Sequence, residues 1–168
     1  MDTNSAHYRA KRPRTILAGP YGHPFHAVLI TVPIGAWTAS VIFDIVSFFA
    51  ADPSAFTRGA VWLIGIGIVG ALVAAVFGVM DLLTLEKGSK AQKVALTHMT
   101  LNLAAVVLFA VSFFIRLGAG TGEVSVAGFV VSLIAYGIVG FSGYLGGELA
   151  YRYGVRVADE KTQAEAFR

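Results

Sequence analysis

An all-α membrane protein, folded as a four-helix transmembrane bundle running up-down-up-down with both termini cytoplasmic, is what three features of the sequence predict. The first is composition: the 168 residues are 56% hydrophobic and only 14% charged, with mean hydropathy +0.70. Charged residues make up about a quarter of an ordinary soluble domain. The second is that residues 27–43, 59–80, 94–115 and 124–147 are free of Asp, Glu, Lys and Arg. Each run, with its neighbours, is long enough to cross a hydrocarbon layer of about 30 Å. A soluble bundle would give each helix a polar face, and these runs have almost none. The third is the placing of positive charge. Leader, middle loop and tail carry eleven Lys and Arg, against Arg58 and Arg116 elsewhere, which puts those three segments in the cytoplasm.

Residues 1–21 form a basic leader in which Arg9, Lys11, Arg12 and Arg14 face a single acid, Asp2. With two prolines and no periodic pattern, it reads as a flexible segment close to anionic lipid headgroups. It is too short and unpatterned for a nucleic-acid-binding arm, so no nucleic-acid partner is expected. The apolar run behind it is about twice a secretory h-region and lacks a small-x-small cleavage site, so the first helix is expected to stay in the protein.

The four-helix domain, residues 22–151, opens at Gly22-His23-Pro24-Phe25-His26. Pro24 suits a first helical turn, where its missing N–H costs no bond. The first helix is predicted over 26–50, and the turn Asp52-Pro53-Ser54 separates it from the second, 58–83. The polar stretch 86–90 leads to a third helix, 93–117, and the glycine-rich turn 118–122 to a fourth, 124–151. Loops this short make consecutive helices antiparallel. Residues 152–168 are a mixed-charge cytoplasmic tail.

His26 and Asp44 are eighteen residues apart, five full turns, so both project from one helix face about 27 Å apart. His98 and Arg116 repeat this spacing on a helix running the same way. The histidines then share one level and Asp44 and Arg116 another, where a structural ion pair is expected because lone charges at such depths are costly. Asp81 and Glu148 fall near the ends of the second and fourth helices. A carboxylate at a helix C-terminus and a protonated histidine at an N-terminus both oppose the macrodipole, so His26, Asp81, His98 and Glu148 are expected to converge in one compensating cluster. Gly67, Gly70, Ala74 and Gly78, and likewise Gly137, Gly140, Gly143 and Gly147, form small-residue stripes suited to close helix contact. Trp37 and Phe109, each eleven residues past a histidine, belong to the core. Offsets of 72 for His26/His98 and Asp44/Arg116, and 67 for Asp81/Glu148, suggest two repeated hairpins about an axis along the membrane normal.

The opening motif, followed by Val32-Pro33-Ile34-Gly35 and Phe43-Asp44, resembles domain-of-unknown-function family 2231, small bacterial proteins predicted to lie in the membrane. The likeness runs over nearly all four helices, through Gly78 to Asp81, His98 with Asn102, and Gly143-Tyr144-Leu145-Gly146-Gly147-Glu148-Leu149. It implies a bacterial inner membrane location and names no activity. Members often carry proline after the second histidine and another histidine one turn on, where this chain has Ala27 and Thr31. If that histidine is a ligand in relatives, this chain lacks it.

The sequence has no cysteine, which excludes disulfides, thiolate zinc sites, cysteine-held iron–sulfur clusters and covalently attached haem. Three functional readings fit the remaining groups. In the first, an electron-transfer module, His26 and His98 are axial ligands of one haem b while Asp81 and Glu148 hold the imidazole N–H groups. A variant has His26, Asp81, His98 and Glu148 ligate a single zinc or iron ion. Glu-x-x-His pairs are absent, so no dinuclear site is expected. In the second, the same groups relay protons or ions, although few polar positions link them to Asp44. In the third, the protein is a cofactor-free accessory subunit, partnered by the bilayer and by other membrane subunits or its own copies. With no nucleophile–base pair or phosphate loop, catalysis by this chain alone is not expected.

Overall fold

The computed structural model describes residues 5–13, 15–19 and 23–168; Asp2, Arg14, Pro20 and Gly22, which enter the reading of the leader and opening motif, lie outside them. A short helix α1 (Ala6–Lys11) and a 3-10 turn (Ile16–Ala18) precede the first span, which is α2 (Phe25–Leu29) followed by α3 (Thr31–Ser47). The single helix expected over 26–50 is thus broken at Ile30. Pro33 accounts for the break, because it has no N–H to give the Leu29 carbonyl and its ring crowds that oxygen. The other spans are α4 (Ser54–Leu82), α5 (Lys90–Ala119) and α6 (Val126–Gly147), which continues into a π turn over Glu148–Arg152; α7 (Glu160–Glu165) lies in the tail. All four spans are long and apolar enough to cross a membrane.

Local chemistry sets the helix starts. Ser89 accepts the Gln92 N–H at 3.1 Å while Gln92 accepts the Gly88 N–H at 2.7 Å, a reciprocal cap that fixes the start of α5. Ser125 accepts the Gly128 N–H ahead of α6 at 3.2 Å.

The spans form a ring in which α3 neighbours α4 and α6, and α5 neighbours α4 and α6. α3 and α5 are therefore diagonal. The ring buries small polar residues beside an apolar core of Trp37, Ile64 and Phe109, and is apolar outside. Ser40, Ser112, Ser132 and Ser142 are fully buried, whereas Trp62, Val69, Val107 and Phe114 are more than half exposed. Hydrocarbon as the surrounding solvent explains that inversion, and the outer face contacts the lipid bilayer.

Side chains from α2, α3 and α5 meet across the axis in three layers. His26 faces His98, Trp37 stacks on Phe109 with ring centroids 4.1 Å apart, and Asp44 binds Arg116. Each layer joins residues 72 apart. The equivalent offset between α4 and α6 is 68, since Ala74 and Ser142 bond the two histidines and Ala60, Ile64 and Gly67 match Gly128, Ser132 and Ala135 in burial. The two hairpins are thus structural repeats. The offset of 67 is corrected: Asp81 has Leu149, not Glu148, at its equivalent position.

Close packing depends on α4 glycines. A Cβ on Gly67 would lie 2.2 Å from Trp37 Nε1, and one on Gly70 2.8 Å from Val32. The α6 stripe is different: at Gly137, Gly140 and Gly143 a Cβ would meet nothing within 4 Å. These glycines face outward, and the inward row of α6 is Ser132, Ala135, Val139, Ser142 and Gly146.

The leader and tail pack on the histidine end. Ala10 of α1 is buried with Leu85 and Ala95, and α1 is tied outward by ion pairs Arg9–Glu86, Lys11–Glu160 and Arg12–Asp159. Where the sequence suggests a flexible leader, its described part contains a docked helix. Its basic residues find acids delivered by the tail and the middle loop.

Candidate functional site

The polar side chains gather at the two ends of the bundle, with the Trp37–Phe109 stack between them. At one end Arg116 makes a bidentate pair with Asp44, Nη1 to Oδ1 at 2.6 Å and Nη2 to Oδ2 at 2.7 Å. The same guanidinium gives Nε–H to Ser112 Oγ at 3.1 Å and Nη2–H to Ser132 Oγ at 3.3 Å. Ser112 in turn gives its hydrogen to the Gly128 carbonyl at 2.7 Å. Both charged side chains are almost wholly buried, and three spans are joined by charge-assisted bonds. Gly128 is required here, because a Cβ would fall 2.9 Å from Arg116 Cγ.

At the other end the imidazoles of His26 and His98 lie with centroids 6.3 Å apart and planes at 88°. His26 Nδ1–H gives its hydrogen to the Ala74 carbonyl at 2.9 Å, and His98 Nδ1–H to the Ser142 carbonyl at 2.7 Å. A carbonyl only accepts, so both rings present N–H at Nδ1, and in the neutral ring the lone pair is on Nε2. Each ring also rests on a glycine four residues further along: a Cβ on Gly78 would lie 3.0 Å from His26, and one on Gly146 3.3 Å from His98. Around His98 the network is denser. Ser142 Oγ stands 2.9 Å from Nδ1 and gives its hydrogen to the His98 carbonyl at 3.1 Å, while the Asn102 amide stands 3.1 Å from Nε2.

The carboxylates expected to join this pair go elsewhere. Asp81 pairs with Arg156 from the tail, Oδ1 standing 2.9 Å from Nε but out of line with the N–H, so that Nε, Nη1 and Oδ1 have no aligned hydrogen bond. Glu148 pairs with Arg152 at 2.9 Å within the π turn. Among the described residues no three of His, Asp and Glu come close enough to share a metal ion. The four-ligand set His26, Asp81, His98 and Glu148 is therefore not assembled, and backbone carbonyls hold the imidazole N–H groups in place of the carboxylates. The physical reason is that each carboxylate has an arginine nearer to hand. His23 is exposed just ahead of α2.

Arg156 is the group that the sequence reading leaves out. Its backbone is in the left-handed region at φ 59, and its N–H bonds the Ala10 carbonyl at 2.9 Å while Nη2–H reaches the Ala18 carbonyl at 3.1 Å. One residue thus joins tail, leader and α4. The carbonyl acceptors, by contrast, leave a trace in sequence: Ala74 with Gly78, and Ser142 with Gly146, are small residues one turn apart, the spacing that lets an imidazole approach a helix backbone.

No curated protein and no solved structure matches the chain. Residues 22–159, spanning all four membrane helices and the Arg156 turn, match the family described as Predicted membrane protein (DUF2231), and the chain belongs to that family.

Proposed function

We propose that the protein is an electron-transfer module of the bacterial inner membrane, with both termini cytoplasmic, in which His26 and His98 hold a single haem b. The observation that carries this reading is the paired imidazoles, 6.3 Å apart, each with its proton tied to a backbone carbonyl. Imidazoles on opposite sides of one metal, with metal–nitrogen bonds of about 2 Å, keep their centroids about 6 Å apart. A hydrogen bond from Nδ1–H fixes the tautomer in which Nε2 ligates and raises its basicity. Two nitrogens without a third protein ligand suit an iron that brings four more on its porphyrin. A bare zinc or iron ion on the same pair would have to complete its coordination with water. The haem would supply a one-electron couple, while the chain supplies orientation and an apolar surround.

An ultraviolet–visible spectrum of the purified protein tests this directly, with a Soret band expected. His26→Ala should remove the band, and His98→Ala should shift it to that of a haem held by one histidine. Asp81→Asn and Glu148→Gln, whose carboxylates pair with arginines, should leave it in place. Metal analysis of the same sample separates haem from a bare ion. A spectrum and metal content both empty would favour the accessory-subunit reading, which the fully bonded surroundings of His98 support. Orientation is tested with single cysteines at Ser54 and Ser89, the chain having none of its own. An impermeant reagent outside intact cells should label position 54 and spare 89.

A further inference from the structure

The two halves of the histidine pair differ on Nδ1, where Ser142 adds a hydroxyl that Ala74 lacks, and beside Nε2. Asn102 follows His98 by one turn of α5, and the equivalent position one turn after His26 holds Ile30. The Asn102 amide nitrogen gives a hydrogen to the His98 carbonyl at 3.0 Å. That bond fixes which end of the amide faces the ring, because a carbonyl accepts only from N–H. The second hydrogen of the same nitrogen then has His98 Nε2, 3.1 Å away, as its acceptor. Nε2 must be unprotonated to accept it, which agrees with Nδ1–H bonding Ser142 on the opposite edge of the ring. Both edges of His98 thus demand one tautomer. His26 has the Ala74 carbonyl on Nδ1, and no described residue hydrogen-bonds its Nε2.

We propose that Asn102 is a positioning residue that keeps His98 as a reserved ligand: its amide occupies the Nε2 lone pair, so an iron or zinc centre engages His26 first and gains His98 only by displacing the amide. This rests on the paired-histidine reading above. A lone pair that accepts an N–H cannot at the same moment bind a metal. The exchange gives up one neutral hydrogen bond, equivalent to a factor of about 2–12 in affinity. The site therefore has an ordered, two-step character that a symmetric pair would lack.

Two variants and two readouts test it on the full chain in detergent. Asn102→Leu removes the competing amide, and Ile30→Asn supplies one to His26. Nitrogen NMR of labelled histidine reads the tautomers without any cofactor, and titrations with haemin and with Zn(II), run separately, read affinity. The expected result is a wild-type His98 protonated on Nδ1, binding about 2–12-fold tighter in Asn102→Leu, and binding weaker by a similar factor in Ile30→Asn. A His98 protonated on Nε2 overturns the inference whatever the titrations give. Wild-type binding with unchanged affinity in both variants overturns it too, and leaves the paired-histidine reading standing. Failure of wild type and both variants to bind either probe overturns both, and reduces Asn102 to a residue that only orients a ring.

Discussion

The two ends of the bundle treat buried charge in opposite ways. Asp44 and Arg116 stand on helices that the repeat sets face to face, and every nitrogen of the guanidinium has a bonded partner among Asp44, Ser112 and Ser132. Asp81 has no such partner within the spans and takes its cation from the tail, where Arg156 leaves Nε and Nη1 without aligned acceptors. The closed end acts as a strut, since a satisfied ionic network in low dielectric resists rearrangement. The histidine end keeps unfilled hydrogen-bonding capacity and a bare lone pair on His26, which is what a binding end needs and a strut does not.

The largest effect should come from breaking the strut. Asp44→Asn or Arg116→Gln leaves an unmatched buried charge and should cost about 3–5 kcal/mol in detergent unfolding. The double variant should lose much less than the sum of the two, and strict additivity in that cycle would show that the pair is not coupled. A smaller loss is expected at the other end. Arg156→Gln removes the charge that pairs with Asp81 and should cost about 1–3 kcal/mol. Because the same guanidinium bonds the Ala18 carbonyl in the leader, trypsin should cut leader and tail faster together. A tail that loosens while the leader stays protected would refute the link.

The smallest effect sharpens the contrast through pH. The Thr162 N–H and hydroxyl hold the Asp159 carboxyl below its usual range, and the Glu160 carboxyl is lowered by its own backbone N–H and by Lys11. A lowered carboxyl contributes stability that is fully present above its unfolded value of about 4 and is lost as pH falls through the lower folded value. Amide-exchange protection over 160–165, taken against the intrinsic rate at each pH, should therefore be unchanged from pH 7 to about 5 and fall only below about 4. The Asp44–Arg116 end should not follow it. Protection lost already at pH 6 would assign the docking of α7 to some other group.

What could be read from the sequence follows from periodicity. Equal eighteen-residue spacings on two parallel helices are enough to bring Asp44 opposite Arg116, and equal 72-residue offsets enough to bring His26 opposite His98. Lipid simplifies the problem, because any long uncharged run must be a helix. Where period gives out, so does legibility. The tail has no apolar rhythm, so nothing marks Arg156 as the partner of Asp81 or α1 as a docked helix. On α6 two small-residue rows coexist. Gly137, Gly140 and Gly143 advertise contact, yet the row that makes it contains Ser142 and Gly146, which composition alone does not distinguish.

Because Asp44 and Arg116 occupy equivalent positions in two like hairpins, the pair also decides which hairpin meets which. Two first hairpins brought together face to face would set Asp44 against its twin on the axis, and two second hairpins would set Arg116 against Arg116. Either meeting buries like charges where attraction now stands. Hairpins carrying the same residue at that level would have no means of telling a partner from a copy. The opposite charges make them complementary, so a first hairpin takes a second hairpin rather than its own like.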